Sequence, residues 1–413
     1  MRLIKSFKAL RPKKGKENDV IAPPYDVLSS LEAREMAKNK PFSFLHVSKP
    51  EIDLDHKIEF NNPRVYEKGA ENLNNLIKNN VLIQDDEDCL YIYEIILNEI
   101  SQTGIGCIAS IEAYEKNIIK KHEYTKPVKE DDRVENITKL EAQTGPVLLA
   151  YKNNDKISEA IHRFKDQKPI YNVFAHDGSN HKIWIINNKS QIDKILGEIN
   201  SMESLFIADG HHRSAAAARV KEKLSKKNHT HDGNENYNYF LAVAFPHSEM
   251  TILDYNRIIR GLNGQSINSL ISKIEKNYSI KKHNEEFKPA SKNTFGMYID
   301  KNWYELNAIK ENINLTDPVK SLDVSILHDT IIEPLLGIYD ERTDPRIDFV
   351  GGARGLKELE NRVNNDNFDI AFALFPTPIE ALIDVAEADK VMPPKSTWFE
   401  PKLLDGLLSH LIN

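Results

Sequence analysis

Cysteine is nearly missing from this chain. Cys89 and Cys107 are the only two in 413 residues, with neither metal-ligand spacing nor the number for a disulfide framework. A reducing, cytoplasmic setting is expected. Long apolar runs are missing too. Stretches such as YFLAVAF and IAFALF have the length of buried strands, far short of the roughly 18 residues that span a bilayer. There is no excess of positive charge: 55 Lys and Arg against 62 Asp and Glu leave a net −7, which argues against nucleic acid or an anionic membrane as partner. No repeat of solenoid or propeller period is visible. The Gly-Lys-Ser/Thr ending of a Walker A loop is absent from the most phosphate-like turn, which excludes a P-loop NTPase there. The opening MRLIKSFKALRPKKGK holds seven basic residues and no acid but lacks the apolar stretch and cleavage site of a secretory signal. It reads as a solvated basic edge strand rather than a transit peptide.

What is present is ordinary globular material, 40% hydrophobic and 28% charged. Strand-like runs at 90–97, 105–114, 146–151, 183–186 and 204–208 alternate with helical periodicity at 31–39, 65–80 and 214–227. Further on, 239–245 and 368–375 read as buried strands and 379–389 as a helix. The Asn- and Gly-rich stretch 228–238 is the expected boundary, near 226–236. Its His229 and His231 read as loop residues rather than metal ligands. The expectation is a mixed α/β or α+β chain in two lobes, a first domain over 1–227 and a second over 238–413, with homo-oligomerisation left open.

The densest chemistry lies in LFIADGHHRSAAAARVKEKL (205–224). Four alanines make helix onset near 210–213 firm, with Asp209 available as cap. The first turn of a helix leaves N–H groups unpaired and carries positive potential. His211, His212 and Arg213 add donors there, where an acidic first turn is the usual choice. The pattern points to a bound phosphate or carboxylate. A zinc site and two hydrogen-bonded structural histidines are the competing readings.

A second cluster, KKHEYTKPVKEDDRVE (120–135), joins two expected strands and reads either as an active-site loop or as a solvated charge run. In the first case His122 or Glu123 is a candidate base, Lys126 or Arg133 a phosphate clamp, and Asp131 or Asp132 a magnesium ligand. In APPYDVLS (22–29), the prolines fix the direction of Tyr25 and Asp26, and Asp26 is either a helix cap or a catalytic carboxylate. MPPKSTWFEPKLLDGL (392–407) couples prolines with Lys395, Ser396 and Thr397, and otherwise reads as a segment tied down by Trp398 and Phe399. GGARG (351–355) is a short candidate for a backbone anion nest.

Taken in order, APPYDV, NKPFSFLHVSKPE, KHEYT with KEDDR, IADGHHR and MPPKSTWFEPKL resemble the domain-of-unknown-function family numbered 1015. The DGHHR core is also similar to a turn in free serine kinases of the ParB–sulfiredoxin superfamily. That resemblance implies a ParB/sulfiredoxin-like N-terminal part with a strand-rich insertion and a phosphate-binding role for Asp209, Gly210, His212 and Arg213, with His211 at a variable position. It implies a kinase that moves phosphate from ATP or ADP, with Mg2+, to a small hydroxylated metabolite, free L-serine leading. The chain departs from those kinases at the base. A long insertion separates Asp26 from the turn, so Asp26 and Glu123 both stand as candidates. A nucleotide-responsive protein without turnover, and a metal-dependent hydrolase built on the histidines, are the alternatives.

Overall fold

A computed structural model describes residues 2–413, and in it the chain divides into two units. One comprises residues 2–121, 125–250 and 401–413; the other comprises 122–124 and 251–400. The architecture is mixed α/β.

The first unit is built on a nine-stranded sheet. Its strands are β1 (Ile4–Lys5), β2 (Leu90–Leu97), β3 (Ile100–Ser110), β4 (Ile119–Lys120), β5 (Val147–Tyr151), β6 (Tyr171–Phe174), β7 (Asn180–Ile186), β8 (Leu205–Asp209) and β9 (Tyr239–Pro246). They lie in the order β4-β8-β5-β9-β3-β2-β7-β6, with β1 paired to β3. β8 is parallel to β4 and β9 parallel to β5, and the other neighbours are antiparallel. Central strands such as β9 read as continuous apolar runs because both faces are covered. The residues 105–114, expected as one strand, divide: β3 ends at Ser110, whose side chain accepts from the Ala113 N–H and starts a short helix over Ile111–Glu115.

The polar stretch at 228–238 does not separate lobes. It lies inside the first unit, because the apolar strand that follows it, β9, inserts between β5 and β3 in the same sheet. The second domain expected from 238 therefore loses its first strand to the first unit, which regains the chain at 401.

Four helices carry the chemistry in the first unit: α1 (Ser30–Ala37), α2 (Pro63–Lys78), α3 (Pro127–Leu140) and α4 (His211–Ser225). α3 corrects the reading of 120–135 as a loop. Pro127 occupies the first turn, where a missing N–H costs nothing. The apolar stripe Val134, Ile137 and Leu140 is buried and lies mostly beyond the charged window that suggested a loop. Val134 and Ile137 pack with Ala216 and Val220 of α4.

The second unit holds a six-stranded antiparallel sheet: β10 (Tyr255–Ile259), β11 (Tyr278–His283), β12 (Thr294–Ile299), β13 (Asn302–Ala308), β14 (Ile347–Gly351) and β15 (Ile370–Ala373), in the order β11-β13-β12-β15-β10-β14. A helix over Leu356–Asn365 covers it through Leu356 and Leu359. Among the described residues, no helix is long and apolar enough to cross a membrane.

Candidate functional site

The DGHHR turn begins where β8 ends. Gly210 has φ +98, a left-handed conformation that costs most side chains dearly. A Cβ there would also lie 3.0 Å from the Arg213 guanidinium. Glycine thus lets Arg213 fold back across the turn, where it donates to the Asp209 carboxylate (3.2 Å) and the Pro146 carbonyl. Asp209 is not the helix cap that its position predicts; Gly210 fills that place with no side-chain bond. Although burial opposes it, Lys402 (3.8 Å away) and Arg213 hold the Asp209 carboxyl well below its usual range.

Arg213 lines a small chamber of about 20 Å³ together with Tyr25, Ser48, Arg133, Asn136 and Asp405. Tyr25, Ser48, Arg133 and Asn136 also line an open cleft of 340 Å³, so the two spaces share a wall. Asp26, Lys49, Glu51, Lys129 and Asp132 line the cleft beyond them.

Each wall has a local cause. Asp26 does not cap α1, because Ser29 does so in a full capping box with Glu32. It lines the cleft instead. Arg133 lies 4.0 Å over the ring of Tyr25 and binds Asp132 at 2.7 Å, and Asp132 accepts from Tyr66 at 2.9 Å. Burial pushes the Tyr25 hydroxyl up to about 12, so it stays a neutral donor. Glu51 accepts from Ser30 (2.8 Å) and Lys49 (3.1 Å). The buried Ser48 hydroxyl finds no protein partner among the described residues, which is costly unless a ligand or water takes it. Asp405 arrives from the C-terminal segment and is fixed by paired backbone bonds with Ala22. Burial raises its carboxyl to about 7, with Arg213 pulling the other way.

Of the residues singled out in sequence, Asp26, Arg133, Asp132, Gly210 and Arg213 are thus brought to this cleft-and-chamber system or to its edge. Others are used elsewhere. Asp131 binds Arg219 of α4 at 2.7 Å, so Asp131 and Asp132 do not form one carboxylate pair for a cation. His212 accepts the Lys126 N–H through Nε2 at 3.0 Å, tying the start of α4 to the start of α3. His211 is buried, its carbonyl accepting from Ser214. His122 and Glu123 fall in the second unit, where the His122 carbonyl accepts the Met392 N–H. In GGARG the Gly352 N–H bonds the Asp254 carbonyl (2.7 Å) and the Gly355 N–H bonds the Gly352 carbonyl (3.0 Å), so these two donors are already used within the protein. Ser48, Glu51, Asn136 and Asp405 went unread. Ser48 and Glu51 sat inside the quoted motif NKPFSFLHVSKPE, but nothing in their spacing marked them.

The family model for DUF1015, described as a protein of unknown function, matches residues 4–325. The chain belongs to that family. The DUF1015 match ends before Lys402 and Asp405, which complete the site from the C-terminal segment. No curated protein matches this DUF1015 chain. Among solved structures it is similar to a conserved hypothetical protein from Pyrococcus furiosus, at 15% identity over 74% of this chain and 95% of that one, TM-score 0.36. It is also similar to a free serine kinase in complex with AMP (13% identity, 73% and 91% covered, TM-score 0.37). A third is SbnI with a C-terminal truncation from Staphylococcus aureus (10% identity, 74% and 86% covered, TM-score 0.38).

Proposed function

We propose that the first unit is a nucleotide-dependent kinase acting on a small hydroxylated metabolite, with free L-serine the first acceptor to try. One observation carries the reading: three motifs far apart in sequence converge on one wall. Tyr25 and Asp26, then Asp132 and Arg133, then Arg213 line the joined chamber and cleft. The likeness of the DGHHR turn to the phosphate-binding turn of free serine kinases supports the same assignment.

Charge supports it as well. Lys49, Lys129 and Arg133 line the cleft and Arg213 lines the chamber. Cationic donors of this kind suit phosphate. Phosphoryl transfer asks mainly for positioning and charge neutralisation. In this reading Arg133 and Arg213 hold the phosphates of ATP or ADP. Asp26 takes the proton from the acceptor hydroxyl as its oxygen bonds to phosphorus, and the nucleotide leaves with the bridging oxygen. Asp26 is preferred to Glu123 and His122 because it shares the cleft with Arg133. Mg2+ enters with the nucleotide; the Asp131–Asp132 pair does not fit it, and no step is assigned to it.

The test is calorimetric binding of ATP, ADP and tripolyphosphate with magnesium, followed by phosphate transfer to L-serine and other small hydroxy compounds. Arg133→Met and Arg213→Ala should each abolish binding at concentrations that saturate the wild type, circular dichroism reporting an intact fold. Asp26→Asn should keep binding and lose about 10²–10⁴ in turnover. Wild-type affinity in both arginine variants would refute the phosphate site. Binding without transfer to any acceptor would favour a nucleotide-responsive protein.

A further inference from the structure

The lining of the cleft is not all polar. Besides Arg133, Ser48 and Asn136, and charged groups such as Lys49 and Asp132, it includes Leu28, Pro50, Phe60, Val65 and Val128. Two of these are set toward solvent: Phe60 is 55% exposed and Val128 64%. Exposed large hydrophobes are few among the described residues, and two of them border one cleft.

Phe60 is also held in place. The preceding backbone is clamped by Arg34, which donates to the carbonyls of Glu51, Ile52 and Leu54. The Lys57 N–H bonds the Asp55 side chain (2.9 Å) and the Ile58 N–H bonds the Asp55 carbonyl (3.0 Å). Beyond Phe60, the Asn62 N–H bonds the Glu59 carbonyl (3.1 Å) and the Asn62 side chain caps α2. Two ordered turns therefore carry one aromatic ring to the border of the cleft, where more than half of it is left to solvent in the free protein.

We infer that Phe60, with Val128, is the nucleobase platform of the cleft. The base of the bound nucleotide stacks on the Phe60 ring while its phosphates run toward Arg133 and the chamber. This rests on the phosphate reading above and adds which part of the cleft takes which part of the ligand. A flat, uncharged heterocycle is the chemistry that suits an exposed aromatic ring beside a phosphate site, and a volume of 340 Å³ falls within the range of small-molecule pockets.

The experiment is a titration of the full chain with magnesium ATP, magnesium tripolyphosphate and adenosine, in wild type, Phe60→Ala, Phe60→Tyr and Arg133→Met. Phe60→Ala should weaken ATP by about tenfold or more, the range of a lost aromatic stack. It should leave tripolyphosphate unchanged, and Phe60→Tyr should restore ATP. Arg133→Met should weaken both ATP and tripolyphosphate. Unchanged ATP affinity in Phe60→Ala overturns the platform, as does an equal loss of both ligands, which would mean a damaged cleft. Wild type binding tripolyphosphate as tightly as ATP overturns the platform and leaves the phosphate reading standing. Wild type binding neither removes both.

Discussion

Each unit sets an arginine beside a buried carboxylate, and the two pairs behave in opposite ways. In the second unit Arg257 is fully buried, and its terminal nitrogens bond the carbonyls of Tyr255, Pro394 and Lys395 and the Glu341 carboxylate. Glu341 also takes His328 at 3.0 Å, and despite burial Arg257 and His328 hold its carboxyl below the usual range. The terminal nitrogens of that arginine are taken by protein oxygens, its Nε alone finding no partner among the described residues, and the pair reads as architecture. In the first unit, burial lifts the Asp405 carboxyl to about 7 even though Arg213 pulls it down. Beside it, Arg133 lies against Tyr25 and its own neighbour Asp132 at the edge of open space. Burial of a charge does not mark a ligand site. What sets the first unit's arginines apart is the open space they line.

The largest effect expected from this contrast is on stability. Arg257→Met should cost about 3–5 kcal/mol, since it takes the arginine from the buried Glu341 and a donor from each of three carbonyls. Arg133→Met should cost about 1–2 kcal/mol while removing nucleotide binding. Chemical denaturation of both variants checks this, and equal losses would erase the distinction.

Next comes Asp405→Asn. The folded protein keeps the Asp405 proton up to about pH 7, whereas the ordinary value is 3.8. Between those limits the folded state binds the extra proton, so this group's contribution to stability falls as pH rises from about 4 to 7. The variant should therefore be more stable than wild type at pH 8, by about 2–4 kcal/mol, and should lose that advantage near pH 4. Nucleotide affinity in wild type should decline above pH 7 and stay flatter in Asp405→Asn. A stability difference that does not vary with pH would contradict the assignment.

His181 offers the opposite sign. Buried between Tyr93 (3.0 Å) and Ser179 (2.7 Å), it is pulled down to about 4 by burial. Its contribution is present above about pH 6.5 and lost as pH falls toward 4. His181→Gln should flatten that acid limb of a melting-temperature profile. Smallest of all, Ser48→Ala should change stability by less than about 1 kcal/mol, because the hydroxyl has no protein partner to lose. It should still weaken ligand binding measurably. A large destabilisation would make Ser48 structural.

The periodic elements were legible. β2 occupies 90–97 as read, and α2 and α4 start within three residues of their expected onsets. The DGHHR turn was legible as a strand-to-helix corner because the alanines and Gly210 leave few alternatives. The helix at 127–140 was hidden because its charged first half masks a short apolar stripe. The unit boundary was hidden for a different reason: a polar loop says nothing about which sheet the next strand joins. Asp405 could not be read at all. Its role depends on a backbone pairing with Ala22, hundreds of residues earlier.

That pairing has a consequence for how the protein is made. Residues 251–400 lie, in order of synthesis, between the bulk of the first unit and the segment bearing Lys402 and Asp405. At roughly 5–20 residues per second, the nascent first unit waits on the order of ten seconds with its chamber incomplete. Through that interval Ala22 lacks its backbone partner and the chamber lacks Asp405. A chain broken off within the second unit would lack Asp405, and with it one wall of the chamber.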